Sequence, residues 1–462
     1  MYKNLITLIF LLLTGTLAGQ GWERVYPGLG NDEASAVAIT PDQGYVMTGF
    51  YNGGEKTLLI KVDRDGYLQW SKPLQLGSGV EFGNSIHVTD DTSYVIAGAV
   101  NVLGSSGLVR NVLLAKTNSA GEVIWNKNLG SLDFDEEGLD LHILADGGYL
   151  VCGFRDLGDH DDVLLLRTDS EGNQMWLKTY GMPDRDERAN AIAIADNGDI
   201  LLVGENFDNP FTYFHVLRLD SDGEPIWENN YGILSAPNDK GRDVVATADG
   251  GFVLAGSTPA SQGGTNGLIM KIDGDGNDIP LWIKTFDQSE FYGLVSDRNS
   301  GYFAAVKSEV NCLDFLYVLR MDGAGNEIWH ENIGRGGVDV AFDLVATEDG
   351  GVTAAGSTSP FVTSNETNPY LVYIGSTGVI YTNYVKGNVF HDFNDNCIQD
   401  PGEPNLRNWG LKLDNPTFSR YFISDEFGEF TFRVDTGSYD LSILFPNNYW
   451  YSCDSGNSTE FT

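Results

Sequence analysis

The stretch Asp63-Arg64-Asp65-Gly66-Tyr67-Leu68-Gln69-Trp70 returns as Asp220-Ser221-Asp222-Gly223-Glu224-Pro225-Ile226-Trp227, and the tryptophan that ends each copy belongs to a series. It stands at Trp22, Trp70, Trp125, Trp176, Trp227, Trp282 and Trp329, with spacings of 48, 55, 51, 51, 55 and 47. An eighth mark falls at Tyr381, 52 residues on, inside Val379-Ile380-Tyr381-Thr382-Asn383-Tyr384, so the array holds seven intervals. A period of this size signals repeated supersecondary units that bury their apolar faces against one another.

Each interval reads as four short strands. Trp176-Leu177-Lys178-Thr179-Tyr180-Gly181 and Ala189-Asn190-Ala191-Ile192-Ala193-Ile194 alternate apolar and polar residues, the signature of half-buried strands. Turns such as Asp146-Gly147-Gly148, Asp249-Gly250-Gly251 and Asp349-Gly350-Gly351 follow, where glycine supplies the positive φ of a tight hairpin. Phe252-Val253-Leu254-Ala255-Gly256 gives a third strand and Val163-Leu164-Leu165-Leu166-Arg167-Thr168-Asp169 a fourth. Four strands per repeat with no helical periodicity favour radial repetition over a stacked helical array. The expectation is an all-β chain in which residues 20–384 form a propeller of about seven four-stranded blades, six or eight being the alternatives. Either terminus can complete the other's blade, since tryptophan-strand marks stand near both Trp22 and Tyr381.

A strand-ending glycine recurs as Gly49, Gly98, Gly153, Gly204, Gly256 and Gly356, where close backbone approach excludes a side chain. The sixth copy carries Val306 instead and replaces the double glycine with Asn299-Ser300-Gly301. It is expected to be the least regular blade.

Residues 1–19 read as a secretory signal peptide: Lys3, an apolar run from Leu5 to Leu13, then Gly15-Thr16-Leu17-Ala18-Gly19. The run is too short for a membrane span, and nothing later approaches about 20 apolar residues. No cysteine near the cleavage point invites an N-terminal lipid anchor. The chain is therefore read as exported, extracellular or at the cell surface, and monomeric. Its net charge of -37, from 65 acids and 28 bases, repels nucleic acid and anionic membrane. Of four cysteines, Cys397 and Cys453 share the C-terminal segment and form the candidate disulfide; Cys152 and Cys312 occupy different phases of the repeat.

The opening stretch resembles the tryptophan-docking repeat of quinoprotein-type propellers, one residue shorter between aspartate and glycine. It is more similar to the repeats of uncharacterised secreted propellers from Bacteroidetes, a likeness covering residues 22 to about 384. The segment 385–462 resembles the B-type β-sandwich of serine-aspartate and collagen adhesins. That likeness rests on Lys386-Gly387-Asn388-Val389-Phe390-His391-Asp392-Phe393-Asn394-Asp395-Asn396-Cys397, on Ser424-Asp425-Glu426-Phe427-Gly428-Glu429-Phe430-Thr431-Phe432, and on Thr436-Gly437-Ser438-Tyr439-Asp440-Leu441. Such sandwiches often precede a type IX secretion sorting domain; this chain ends at Thr462 without one, which reads as a fragment of a longer protein.

Counting from Asp392, oxygen-bearing side chains stand at positions 1, 3, 5, 9 and 12, namely Asp392, Asn394, Asn396, Asp400 and Glu403, with the Ile398 carbonyl at position 7. This is the ligand spacing of a calcium loop. Cys397 replaces the usual glycine at position 6, so the sharp turn needs other support, such as the disulfide to Cys453. The aspartate-rich turns of the propeller, such as Asp273-Gly274-Asp275-Gly276-Asn277-Asp278, are assigned to hairpin chemistry. The bases Lys61, Arg167, Arg218, Lys271 and Arg320 are assigned to pairing with nearby carboxylates.

No catalytic motif is present. His87, His142, His160, His215, His330 and His391 share no metal-ligand spacing, there is no nucleophile elbow, and the sialidase aspartate box is not matched. His160, in Asp159-His160-Asp161-Asp162, reads as an exposed polar insertion. The leading functional expectation is a non-enzymatic propeller that presents loops for glycan or protein recognition, on a calcium-stiffened module. The rival is a polysaccharide hydrolase or lyase with carboxylates at the central channel, which a cluster of unlike polar residues at one channel mouth would favour. A quinone-dependent dehydrogenase is disfavoured by repeat length and by the lack of an electron-transfer motif.

Overall fold

The alternation seen in sequence forms antiparallel ladders because each strand buries one face against the next repeat. The computed structural model describes residues 4–461 apart from 9–10, 14–20, 29, 106, 233–237, 261–262, 278–279, 298–299, 311–312, 334–338, 360–366, 379, 381–382, 394–398, 416–417, 426, 435–436, 445–449 and 453–457. Blade one consists of Glu33–Ile39, Tyr45–Tyr51, Lys56–Val62 and Leu68–Leu74, hydrogen-bonded in that order, and six more four-stranded antiparallel sheets follow the same plan. The chain is a seven-bladed β-propeller followed by a small β-sandwich.

The blades are offset from the sequence repeat. The tryptophan strand, which opens each interval in sequence, is the outermost strand of the preceding blade: Gln174–Tyr180 completes the sheet begun by Asp135–Ile143. The seventh blade takes its fourth strand from the N-terminal side, Trp22–Val25, which pairs with Asn368–Ile374. The ring is therefore closed from that end. Tyr381 lies outside the described residues, and the strand after it, Asn383–Asp392, belongs to the sandwich.

Apolar cores lie between blades. Ala191, Val203, Phe214 and Val216 of blade four pack on Val244, Phe252, Leu254 and Leu268 of blade five. The same arrangement seals the ring, where Ala355, Leu371 and Tyr373 of blade seven meet Val37, Met47, Leu58 and Ile60 of blade one. Each fully buried aliphatic or aromatic side chain contributes about 1.5–3 kcal/mol, so an open ring would forfeit one of seven such seams.

The tryptophans explain their own periodicity. Each one docks on the turn glycine of the next blade: Trp22 on Gly66, Trp70 on Gly121, Trp125 on Gly172, Trp176 on Gly223, Trp227 on Gly276, Trp282 on Gly325 and Trp329 on Gly378. A Cβ at any of these glycines would lie 2.4–3.0 Å from the indole. Their φ of 73–78° independently excludes most other residues. In five blades an aspartate, and in blade two Asn118, opens the turn and accepts two backbone N–H groups within it, as when Asp220 Oδ1 takes those of Asp222 and Glu224, both at 2.9 Å. The repeated bases stitch the neighbouring hairpin at the same end of the blade: Lys61 to Asp42 at 2.9 Å, Arg218 to Asp199 at 2.6 Å and Arg320 to Asp297 at 3.0 Å.

The strand-ending glycines face a second repeated device. Every inner strand carries a one-residue β-bulge, and a Cβ on the opposing glycine would stand 1.8–2.0 Å from a carbonyl oxygen of that inner strand, as Gly153 would from Glu137. Blade six forms the same bulge between Phe291 and Gly293 opposite Val306 and keeps all four strands, so its sequence departures do not alter its topology.

Beyond the ring, Val385, Val389, Phe430 and Val434 of one sheet bury against Leu411, Leu413, Tyr439 and Ile443 of another. Asn4–Leu8 and Leu11–Leu13, within the segment read as an export leader, pair antiparallel with Asn383–Asp392. Among the described residues no helix is long and apolar enough to cross a membrane.

Candidate binding site at the channel mouth

A β-bulge re-aims a side chain, and here seven bulges aim at one place. The residues left out of the ladders are Ser35, Asn84, Leu139, Asn190, Arg242, Tyr292 and Phe342. All seven line one cavity of about 700 Å³ that runs along the inner strands. No two neighbours are alike, although the backbone presenting them repeats seven times.

The mouth has two halves. Around blades two to five, a cavity of about 640 Å³ is lined by Arg110, Arg188, Lys240 and Arg242 together with Asp135, Glu137, Asp156, Asp161, Asp186 and Glu205. The arginines are paired and held. Arg242 bridges Glu205 at 3.3 Å and Glu290 at 2.9 Å; burial works against its charge, but the two glutamates outweigh that and raise its pKa above the ordinary arginine value. Arg188 donates to Asp161 at 2.6 Å and lies 4.2 Å from the Phe154 ring centroid. Arg110 meets Glu137 at 2.8 Å, and Asn84 donates to the same carboxylate at 3.0 Å. Asn190 donates to the Gly241 carbonyl at 2.7 Å.

Around blades seven, one and two, a cavity of about 470 Å³ is lined by Phe50, Val80, Phe82 and Phe342 beside Glu33 and Ser35. Burial pushes the Glu33 carboxyl up to about 7, against a lowering hydrogen bond from Ser357. A carboxyl that titrates near neutrality in a cleft is suited to proton transfer.

Just inside the bulges stand three aspartates that clip one blade to the next. Asp140 accepts the Ile192 N–H at 3.1 Å, Asp243 that of Leu294 at 2.5 Å, and Asp343 that of Val37 at 2.9 Å. Burial raises the pKa of Asp343 to about 7 and that of Asp243 well above the usual carboxylate range.

The calcium-loop residues lie elsewhere, at the end of Asn383–Asp392 in the sandwich. Asn394, Asn396, Cys397, Ile398 and Cys453 lie outside the described residues, as does Cys312. Asp392 and Glu403 are both buried, at 1% and 8% exposure. Glu403 closes the loop by accepting the N–H groups of Phe393 and Asp400, each at 2.8 Å. The ends of the loop thus hold oxygen donors of the hard type calcium takes, with Glu403 already serving as the loop's clamp. Among the described residues no three histidine, cysteine or carboxylate side chains form a metal cage. Cys152 is a free thiol, buried in a blade seam.

No family model and no curated protein matches the chain. Solved structures do. An ulvan lyase of polysaccharide lyase family PL25, bound to a glucuronyl-sulfated-rhamnose unit, aligns with TM-score 0.50 and 11% identity over 76% of this chain and 96% of the lyase. A Dyadobacter fermentans protein of unknown function gives 0.46 and 11% over 76% of this chain and 98% of its own. PorZ, a surface component of the type IX secretion system of Porphyromonas gingivalis, gives 0.40 and 11% over 91% of this chain and 69% of PorZ. The likeness is one of fold.

Proposed function

We propose that the channel mouth is a carbohydrate-recognition site of an exported protein that works outside the cell or at its surface. The seven bulge residues, no two neighbours alike, carry this reading. Sugars present hydroxyl groups that both donate and accept, over apolar ring faces. The mouth offers fixed arginine–carboxylate pairs and asparagines on one side and aromatic faces on the other, the combination of apolar lining and convergent polar groups that small ligand sites use. Four bases against six nearby acids around the charged half suit a neutral glycan better than a polyanion. The C-terminal segment then acts as an adhesin B-type spacer, stiffened by calcium held between Asp392, Asn394, Asn396, the Ile398 carbonyl, Asp400 and Glu403, with a Cys397–Cys453 bond supporting the turn. The N-terminal residues 1–19 are removed on export.

The test is titration of a panel of neutral and acidic polysaccharides into the full chain, repeated with Arg242→Ala and Asn190→Ala. Saturable binding of a neutral glycan that both substitutions weaken supports the site; binding indifferent to both overturns it. A second reading, polysaccharide cleavage, is favoured by Glu33, whose carboxyl near pH 7 suits a general acid. Reducing ends or unsaturated uronates released by the wild type but not by Glu33→Gln would establish it.

A further inference from the structure

The charged, apolar and axial cavities of the mouth meet at the same three side chains. Leu139, Asn190 and Arg242, the bulge residues of blades three, four and five, line all of them, at about 640, 470 and 700 Å³. The charged cavity takes its other walls from blades two to five, and the apolar one from blades seven, one and two. In a ring of seven, blade four stands across the axis from blades seven and one. The two cavities are therefore arms of one groove that crosses the mouth, with the shared residues at its middle and the axial channel beneath them.

Each arm opens outward. Phe207 in the charged arm is 38% exposed and Val80 in the apolar arm 47%. The middle is held. Arg242 is bridged to Glu205 and Glu290, and its guanidinium stands 5.9 Å from the centre of the Tyr292 ring, which meets Phe342 edge to face at 6.0 Å. Asn190 donates to the Gly241 carbonyl, which leaves its own oxygen to accept from a ligand. The arms differ in what they still offer. In the charged arm the arginines are spent on carboxylates, whereas Lys240 forms no ion pair among the described residues and has its ammonium donors to give. In the apolar arm Phe50, Phe82 and Val80 present hydrocarbon on which the face of a sugar ring packs. Each arm alone has the volume of a site for a drug-sized ligand, about 300–1,000 Å³, more than a single sugar ring fills.

Resting on the carbohydrate reading above, we infer that the groove is a through-cleft: it binds an internal stretch of an extended neutral glycan laid across the axis, with the chain leaving along both arms, and does not cap a chain end. Leu139, Asn190 and Arg242 hold the central sugar. Lys240 extends the contact on one side by hydrogen bonds to hydroxyl groups, and Phe82 with Val80 extends it on the other by packing. Affinity then grows with chain length until both arms are filled, because each further sugar binds as part of a ligand already in place.

The experiment is calorimetric titration of the full chain with a glucan, a xylan, a mannan and a galactan, each as intact polymer and as its oligosaccharides from the disaccharide upward. For the glycan that binds, affinity is expected to rise about tenfold or more from the shortest oligomer to the plateau, and one long polymer chain to take up several copies of the protein. Lys240→Met and Val80→Ser lie in opposite arms and break no contact on which the blades depend; a melt verifies the fold. Each should lower the plateau affinity, whereas the shortest oligomer that binds is weakened by Asn190→Ala alone. The through-cleft is overturned, with the carbohydrate reading intact, if a disaccharide binds as tightly as the polymer, if one protein binds per chain whatever its length, or if either arm substitution is silent at every length. Binding of none of these glycans removes both readings.

Discussion

The outer edge of the propeller and its channel mouth are built on the same sevenfold frame and use it in opposite ways. At the edge, every tryptophan meets a glycine and six of the seven turns open on the same hydrogen bonds. At the mouth, every bulge has the same backbone and a side chain different from those of its two neighbours. Repetition in this molecule marks what holds the ring together, and departure from repetition marks where a ligand is read.

The sharpest way to break the edge is Trp22→Ala. This indole, 7% exposed, sits on the strand that closes the ring, and its loss should destabilise the protein by about 3–5 kcal/mol in denaturant unfolding; a loss no larger than that of an exposed substitution would refute the docking role. Next comes pH. Because the Asp343 carboxyl has its pKa raised to about 7 in the fold, the native state holds its proton more tightly than the unfolded chain does. Its contribution is then full below about pH 4 and is lost as pH rises to 7, by up to about 4 kcal/mol. Stability of wild type relative to Asp343→Asn should fall over that window, and parallel curves would discard the assignment. Gly153→Ala places a Cβ 1.8 Å from the Glu137 carbonyl and should cost about 1–3 kcal/mol, whereas the bulge opposite Val306 in blade six predicts a smaller cost for Val306→Ala than a cavity alone would give. Arg242→Ala should weaken glycan binding about tenfold or more, roughly 1.4 kcal/mol, with far less effect on Glu33-dependent chemistry. The smallest effect belongs to Lys271→Met, whose partner Asp249 is largely exposed; thermal melts should shift by under about 1 kcal/mol.

The blade number was legible because an indole docking on a glycine is a local, repeated demand on sequence. The turns were legible for the same reason, and so was the pairing of Lys61, Arg218 and Arg320 with aspartates. The phase of the blades was not: self-similarity counts units without saying where a sheet begins, so the Trp176 strand could be read as opening one repeat when it ends the blade before. The mouth escaped notice because a search for likeness passes over positions that differ. Aligning the copies on Gly49, Gly98 and their equivalents would have brought Ser35, Asn84, Leu139 and Arg242 into one column. The carboxylate of Glu33 carries no sequence mark because its proton affinity comes from burial.

The bulge ring has one more consequence. A socket with seven equal walls would accept a ligand in seven rotated poses of equal energy and hold none of them. An uneven sequence of walls removes that degeneracy, so a guest seated over Arg242 and Tyr292 has one heading about the axis, fixed by a frame that itself has no preferred direction.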